Sequence, residues 1–242
     1  MYDRARPHYP AALVADLTSG RRLRVLDVGC GTGIAARPFV DAGCEVQGVE
    51  HDPGMAQVAR AHGLTVDVAR FEDWHSPGAV FDLVMSGQAW HWIDPVEGPR
   101  VAADSLLPSG HLAIYWIEYR HQPDVEQVFA QVYGELAAGL LHSSHPLGML
   151  TDGERSVALA ASYVNALAAS DRFQPAVVRH YDDSRTYRTR DWVDELPTHS
   201  DHQLLPQATS ERLFATLAGE LDALGGTFTV GLRTHLVLAW RA

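Results

Sequence analysis

The run Val25-Leu26-Asp27-Val28-Gly29-Cys30-Gly31-Thr32-Gly33 constrains the fold more than any other stretch of this chain. A short apolar segment opens directly into glycines at every second position, and a helical stretch follows. An apolar run closed by glycine reads as a buried strand. Glycines let the backbone turn tightly and approach a ligand, and a helix that starts there offers unpaired N–H groups. Strand, glycine loop and helix together form the opening unit of a parallel α/β sheet.

The same alternation continues downstream. Leu23 to Val28 is the first strand expected; Cys44 to Val49 follows a helical stretch closed by Gly43. Asp52-Pro53 reads as an N-cap and first helical position, leading a helix that ends near Gly63. Leu64 to Val68, Phe81 to Ser86 and His111 to Trp116 are the next strands. Beyond Trp116, residues 123–142 and 154–169 read as alanine-rich helices flanking the loop His142-Ser143-Ser144-His145-Pro146. Val177 to Tyr181 reads as a strand, 191–196 and 209–224 as helices, and Thr227 to Trp240 as a final strand or hairpin. The pattern predicts an α/β fold with a doubly wound, mostly parallel, seven-stranded sheet, helices on both faces and a helical cap inserted after the fifth strand. Residues 1–117 would form a cofactor-binding core with an N-terminal helix, 118–175 the cap, and 176–242 the part completing the sheet.

Composition narrows the function. A chain of 242 residues with 46% hydrophobic content can bury a full core, whereas a net charge of -11 gives no field for a phosphate backbone. A nucleic-acid partner is therefore not expected. All 19 basic residues are arginine, which excludes a lysine Schiff base and a Walker-type phosphate loop. No apolar run reaches the roughly 20 residues of a membrane span, and the first residues lack a signal-peptide pattern, so the expected location is cytoplasmic. Cys30 and Cys44 sit in no ligand spacing and are expected as reduced thiols.

Two ligand classes use such a glycine loop. Gly31, Gly33 and Ala36 satisfy the dinucleotide spacing, and Glu50 suits a ribose diol in either case. Asp27 separates the two, because a carboxylate two residues before the first glycine repels a pyrophosphate and attracts a cationic amino-acid moiety. The alternative is that Asp27 merely caps the loop and Glu50 is a solvated strand end.

Residues 27–33 match in full the D/E-x-G-x-G-x-G motif of the class I, Rossmann-like S-adenosylmethionine-dependent methyltransferases, and the chain resembles that family over about residues 2–117. VEHDPGM is similar to its second-strand acid and following helix start, RFEDW to its loop after the third strand, and FDLVMSGQAWHW and LLPSGHLAIYW to its fourth and fifth strands. The resemblance implies S-adenosylmethionine as cofactor. By it, Gly29 and Gly31 line the methionine portion beside Gly33, Asp27 orients the ammonium, and Glu50 holds the ribose. His51 and Met55 pack around the purine, the Phe71 backbone with Glu72 or Asp73 reads the adenine edge, and Ser86 lies beneath the sulfonium. Arg6 and Tyr9 close over the methionine carboxylate, or else dock the N-terminal segment.

The expected reaction is in-line transfer of the methyl group to a small-molecule acceptor, with oxygen preferred and nitrogen or carbon as alternatives. Gln88, Trp90 and Trp92 would form the acceptor wall and His91 would be the base or orienter, with His199 facing the acceptor from the C-terminal side. Adenine-type amino methylation requires a different run after the fourth strand, and neither cysteine is placed for cytosine-ring methylation. The pairs His142/His145 and His199/His202, with Asp201, read as exposed polar loops rather than metal ligands, so no metal is expected. The competing functions are a NAD(P)-dependent oxidoreductase and a non-catalytic binding protein on the same fold. The sequence sets no oligomeric state.

Overall fold

Strands form where the glycine-closed apolar runs stand. In the computed structural model, which describes residues 6–76, 78–138 and 153–242 with the side chains at 200 and 201 excepted, β1 (Arg24–Val28), β2 (Glu45–Glu50), β3 (Thr65–Val68), β4 (Phe81–Gly87) and β5 (Leu106–Arg120) follow in order. Parallel pairing joins β1 to β2, β2 to β3, β1 to β4 and β4 to β5. With β6 (Val177–Arg188) and β7 (Thr227–Trp240), the sheet order is β3-β2-β1-β4-β5-β7-β6. The chain winds outward from β1 in one direction and from β4 in the other. That reversal makes the sheet doubly wound, with a mixed tail.

The described residues gather into two compact units, each discontinuous in sequence. The larger holds residues 8–76, 78–117, 157–181 and 234–242; the smaller holds 6–7, 118–138, 153–156 and 182–233. In the larger unit α1 (Ala11–Thr18), α2 (Arg37–Asp41) and α3 (Pro53–Ala61) accompany β1 to β3. Leu13, Leu17, Val25, Phe39, Ala59, Leu83, Met85 and Tyr115 share its core. Full burial of the leucine, valine, phenylalanine and methionine side chains among them stabilises by about 1.5–3 kcal/mol each. Asp52 caps α3 as its sequence predicts, accepting from the N–H groups of Gly54 at 2.7 Å and Met55 at 3.0 Å, and these two bonds hold its carboxyl below the ordinary carboxylate range.

Several boundaries differ from expectation. The fifth strand starts at Leu106 rather than His111, because Leu106 pairs with Phe81 before a register shift, and it continues through a buried apolar run to Arg120. The sixth strand runs to Arg188 instead of stopping at Tyr181, and the last is one strand, not a hairpin. After α4 (Glu97–Ser105), the helix α5 (Pro123–Leu136) ends before residue 137; the expected loop of residues 142–146 lies outside the described residues. Helix α6 (Gly153–Ala169), expected within a cap, falls in the larger unit from Val157 onward.

In the smaller unit α7 (Thr189–Glu195), the short helix α8 (Ser200–Gln203) and α9 (Gln207–Ala223) follow β6. Leu213, Leu217 and Leu221 are the buried residues of α9, at the four-residue spacing of one helix face, and α9 packs on α5. Trp192 is the hub of the unit's core, stacked on Phe129 at 5.5 Å and edge-on to Tyr187 at 5.0 Å.

Candidate active site

In doubly wound sheets ligands sit beyond the carboxyl ends of the strands, where the winding reverses. Here that switch point lies between β1 and β4. Asp27 stands on β1, in register with Gly48 of β2 and Met85 of β4. Its side chain is fully buried, and neither carboxylate oxygen has a hydrogen-bond partner among the described residues. Burial first, and the nearby charge of Glu50 second, push its carboxyl well above the ordinary range. A buried acceptor without a donor is a rare arrangement that calls for a ligand or ordered water.

The loop that follows approaches its neighbours as closely as glycine permits. Gly29, Gly31 and Gly33 have φ of +66°, +54° and +88°. A Cβ on Gly29 would stand 2.5 Å from the Cβ of Ala89, and one on Gly33 would stand 2.5 Å from Leu64 Cδ1. The backbone N–H of Gly29 donates to Val49 O at 2.8 Å, which ties the turn to the end of β2.

Glu50, at that end, is held from several sides. Its Oε2 accepts from Gly31 N at 2.9 Å; its Oε1 accepts from Asp52 N at 2.8 Å and lies 3.1 Å from His51 Nδ1. The carboxylate is thereby fixed in one orientation with lone pairs left over for a diol. His51 is exposed, and Met55 is half-buried, its sulfur 4.0 Å from where a Gly31 Cβ would stand. Cys30, within the loop with its side chain against Gly48, is a thiol whose ionisation burial and the Asp27 and Glu50 charges push far up, so it offers no nucleophile.

Phe71 is buried, 6.3 Å from Trp74 and 6.1 Å from Trp90. Glu72 accepts from Asp94 N at 2.9 Å, linking the loop after β3 to the loop after β4, whereas Asp73 is exposed. Ser86 is fully buried and its hydroxyl donates to Val28 O at 2.9 Å, bridging the ends of β4 and β1. Tyr9 meets Tyr115 edge-on at 4.7 Å, and both crowd Gly87, where a Cβ would come within 2.9 Å of each. Gln88 follows with φ +60°; its N–H donates to Tyr115 O at 2.9 Å and its Oε1 is buried without a partner among the described residues.

The tryptophans flanking His91 behave differently from one another. Trp90 is 3% exposed and covers Gly98, as a packing residue would. Trp92 is 60% exposed, 4.7 Å from the ring of half-buried His91.

Arg6 and His199 lie in the smaller unit. Arg6 Nη2 donates to Thr198 O at 2.7 Å. His199 and His202, expected in an exposed loop, are both 3% exposed, because each finds a polar partner inside the aromatic core. His199 Nε2 lies 3.5 Å from Glu195 Oε1, and His202 Nε2 lies 2.8 Å from Tyr133 Oη. Glu195 also accepts from Tyr119 Oη at 2.8 Å; burial raises its carboxyl, and Tyr119 and Arg6 partly offset that. The reading of the sequence passed over Glu195, although Trp192, Glu195 and Leu196 at three- and four-residue spacing mark one buried helical face. Among the described residues no three His, Cys, Asp or Glu side chains gather as metal ligands would.

The larger unit thus offers two buried carboxylates and an unpartnered amide oxygen around a close-packed glycine loop. The arrangement suits a ligand bearing positive charge and a diol, and opposes a pyrophosphate. Residues 25–110 match a methyltransferase domain family. An uncharacterized methyltransferase of Mycobacterium tuberculosis is 36% identical over 118 residues, 48% of each chain, so the match spans about half the length of that relative. A malonyl-[acyl-carrier protein] O-methyltransferase of Enterobacter lignolyticus is 28% identical over 78% of this chain and 82% of its own. A structure from Anaeromyxobacter dehalogenans, assigned to the type II methyltransferases, superposes with a TM-score of 0.67 at 25% identity over 98% of this chain and 96% of that one. Its glycine motif, its strand order and these likenesses make the chain similar to the class I S-adenosylmethionine-dependent methyltransferases, with the family match carried by residues 25–110.

Proposed function

We propose that this protein binds S-adenosylmethionine at the switch point of its sheet and transfers the methyl group to a small-molecule acceptor, with oxygen the atom methylated. The buried, unpartnered carboxylate of Asp27 carries the reading, since a fully buried acidic pair needs a cation to be satisfied in its charged form. When bound, the cofactor supplies an electrophilic methyl group on a sulfonium. Asp27 holds its ammonium, and Glu50, oriented by Gly31, Asp52 and His51, accepts from the ribose hydroxyls. The loop of Gly29, Gly31 and Gly33 gives the backbone access to the methionine portion. Phe71, Glu72 and Asp73 border the adenine, with His51 and Met55 beside it. Ser86 keeps the ends of β1 and β4 together under the reacting centre. Tyr9 closes over Gly87, and Arg6 fastens the segment before it.

On the acceptor side, His91 takes the proton that an acceptor hydroxyl loses as its oxygen bonds to carbon, and Trp92 presents an exposed apolar face. The O-methyltransferase from Enterobacter lignolyticus, similar over most of this chain, supports oxygen as the atom. The acidic balance of the chain supports a small acceptor over a nucleic acid, and among the described residues no helix is long and apolar enough to cross a membrane.

Thermal denaturation tests the cofactor. S-adenosylmethionine and S-adenosylhomocysteine should each raise the midpoint, by about 2.7 kcal/mol of stability at a hundredfold excess over Kd, and NADH should leave it unmoved. Equal stabilisation by NADH would replace the reading with a dinucleotide one. Transfer of labelled methyl from S-adenosylmethionine to panels of carboxylic acids, phenols, alcohols and amines then identifies the acceptor class; labelling confined to amines would reject oxygen.

A further inference from the structure

The loop after β4 holds a residue whose conformation and chemistry the fold alone does not require. Gln88 sits at φ +60°, in the left-handed region that glycine occupies freely and residues with side chains avoid. Its backbone is locked from three directions. Its own N–H donates to Tyr115 O at 2.9 Å. Gly87 before it is walled by Tyr115 and Tyr9, and Ala89 after it lies against Gly29, where an added Cβ would meet the Ala89 Cβ at 2.5 Å. Such a held, unfavourable backbone aims its side chain, and the amide oxygen it delivers is buried and without a donor.

The unpartnered oxygens flanking the switch point are all acceptors. Two belong to Asp27 on β1, and the third belongs to Gln88, immediately past β4, the neighbouring strand in the sheet. A ligand that satisfies them must bring a hydrogen-bond donor or positive charge to two places. S-adenosylmethionine carries two cationic centres, and the first is matched by the Asp27 carboxylate.

Resting on the cofactor reading above, we propose that the Gln88 side-chain oxygen faces the sulfonium and its methyl group, so that Gln88 distinguishes the methylated cofactor from the demethylated product. An amide oxygen attracts a sulfonium and accepts weakly from the polarised C–H bonds of its methyl. After transfer the sulfur is neutral and carries no methyl, so the attraction is gone and the product is held only by the contacts both forms share. Gln88 thereby favours exchange of spent for fresh cofactor.

Calorimetric titration of the full chain with S-adenosylmethionine and, separately, S-adenosylhomocysteine tests this without any acceptor. Gln88→Leu keeps the volume and removes the oxygen. Gln88→Gly removes the oxygen and relieves the left-handed strain, so it folds even if the leucine variant does not. Both variants should weaken S-adenosylmethionine binding by about three- to tenfold, the scale of weak C–H contacts to a charged centre, and leave S-adenosylhomocysteine binding within about twofold of wild type. Equal weakening of both ligands, or no change in either, would overturn the proposal while sparing the cofactor assignment. Failure of the wild-type chain to bind either ligand would overturn both.

Discussion

The backbone N–H of Gly31 donates to the Glu50 carboxylate at 2.9 Å, so the acid that closes β2 also holds the tip of the loop that follows β1. Two tasks therefore fall on one side chain. Glu50→Ala should cost about 1–3 kcal/mol of stability, because the N–H groups of Gly31 and Asp52 lose their acceptor, and should weaken S-adenosylhomocysteine binding by about 1.5–3 kcal/mol as well. Urea denaturation with calorimetry measures the two effects; an unchanged midpoint would show that the loop holds its shape without Glu50.

Asp27 makes the ligand-free protein sensitive to pH. The folded chain retains the Asp27 proton above the pH, about 4, at which an unfolded aspartate releases it. Its stabilising contribution is thus complete below that pH and is lost as pH rises through the raised folded value. Relative to wild type, Asp27→Asn should gain stability progressively from about pH 4 upward and be more stable by about 1–3 kcal/mol near neutrality, while losing cofactor binding. A gap between the two thermal midpoints that stays constant with pH would show that Asp27 does not titrate in this way.

Two glycines with similar backbones separate strain from crowding. Gly63 has φ +89° with nothing near an added Cβ, whereas Gly29 has φ +66° and Ala89 within 2.5 Å. Gly63→Ala should cost about 1 kcal/mol through its dihedral alone; Gly29→Ala should cost about 2–5 kcal/mol, since overpacking adds to strain. Chemical denaturation at equilibrium compares them, and equal losses would mean that the β4 loop yields to the new methyl group.

The roles of His91 and Trp92 can be parted by kinetics. His91→Ala should lower the single-turnover methyl transfer rate by about 10²- to 10⁴-fold with cofactor affinity unchanged, and the dependence of the rate on pH should lose the step that wild type shows. Trp92→Ala should instead raise the acceptor KM and keep most of kcat. A His91→Ala enzyme that retains the wild-type rate and pH step would leave that ring as a partner of Trp92 only.

How far the sequence carried these conclusions depended on whether a feature was local. The Asp27 to Gly33 run, the Asp52-Pro53 cap and the acid at position 50 are set within a few residues, and each appears where its spacing placed it. The extension of β5 to Arg120 was hidden because a strand buried on both faces shows no alternation that marks its end. The burial of His202 was hidden for another reason: its partner Tyr133 comes from α5, far away in sequence, whereas the partner of His199, Glu195, lies only four residues before it and was overlooked because polar spacing there reads as a surface loop. The contact of Trp90 with Phe71 joins the loops after β4 and β3, which no short window of sequence contains.

Among the described residues the sheet order leaves β6 with a neighbour on one side only, along twelve residues that are mostly exposed. A bare ladder of that length invites other chains to extend it into fibrous aggregates. Arg179, Asp182, Asp183 and Arg185 put charges of both signs along it, and Arg179 and Tyr181 are tethered to Asp16 of α1. Solubility at high concentration is thus governed at an edge remote in sequence from the glycine loop, and neutralising those four charges should make the protein prone to precipitation while its cofactor-binding residues remain unaltered.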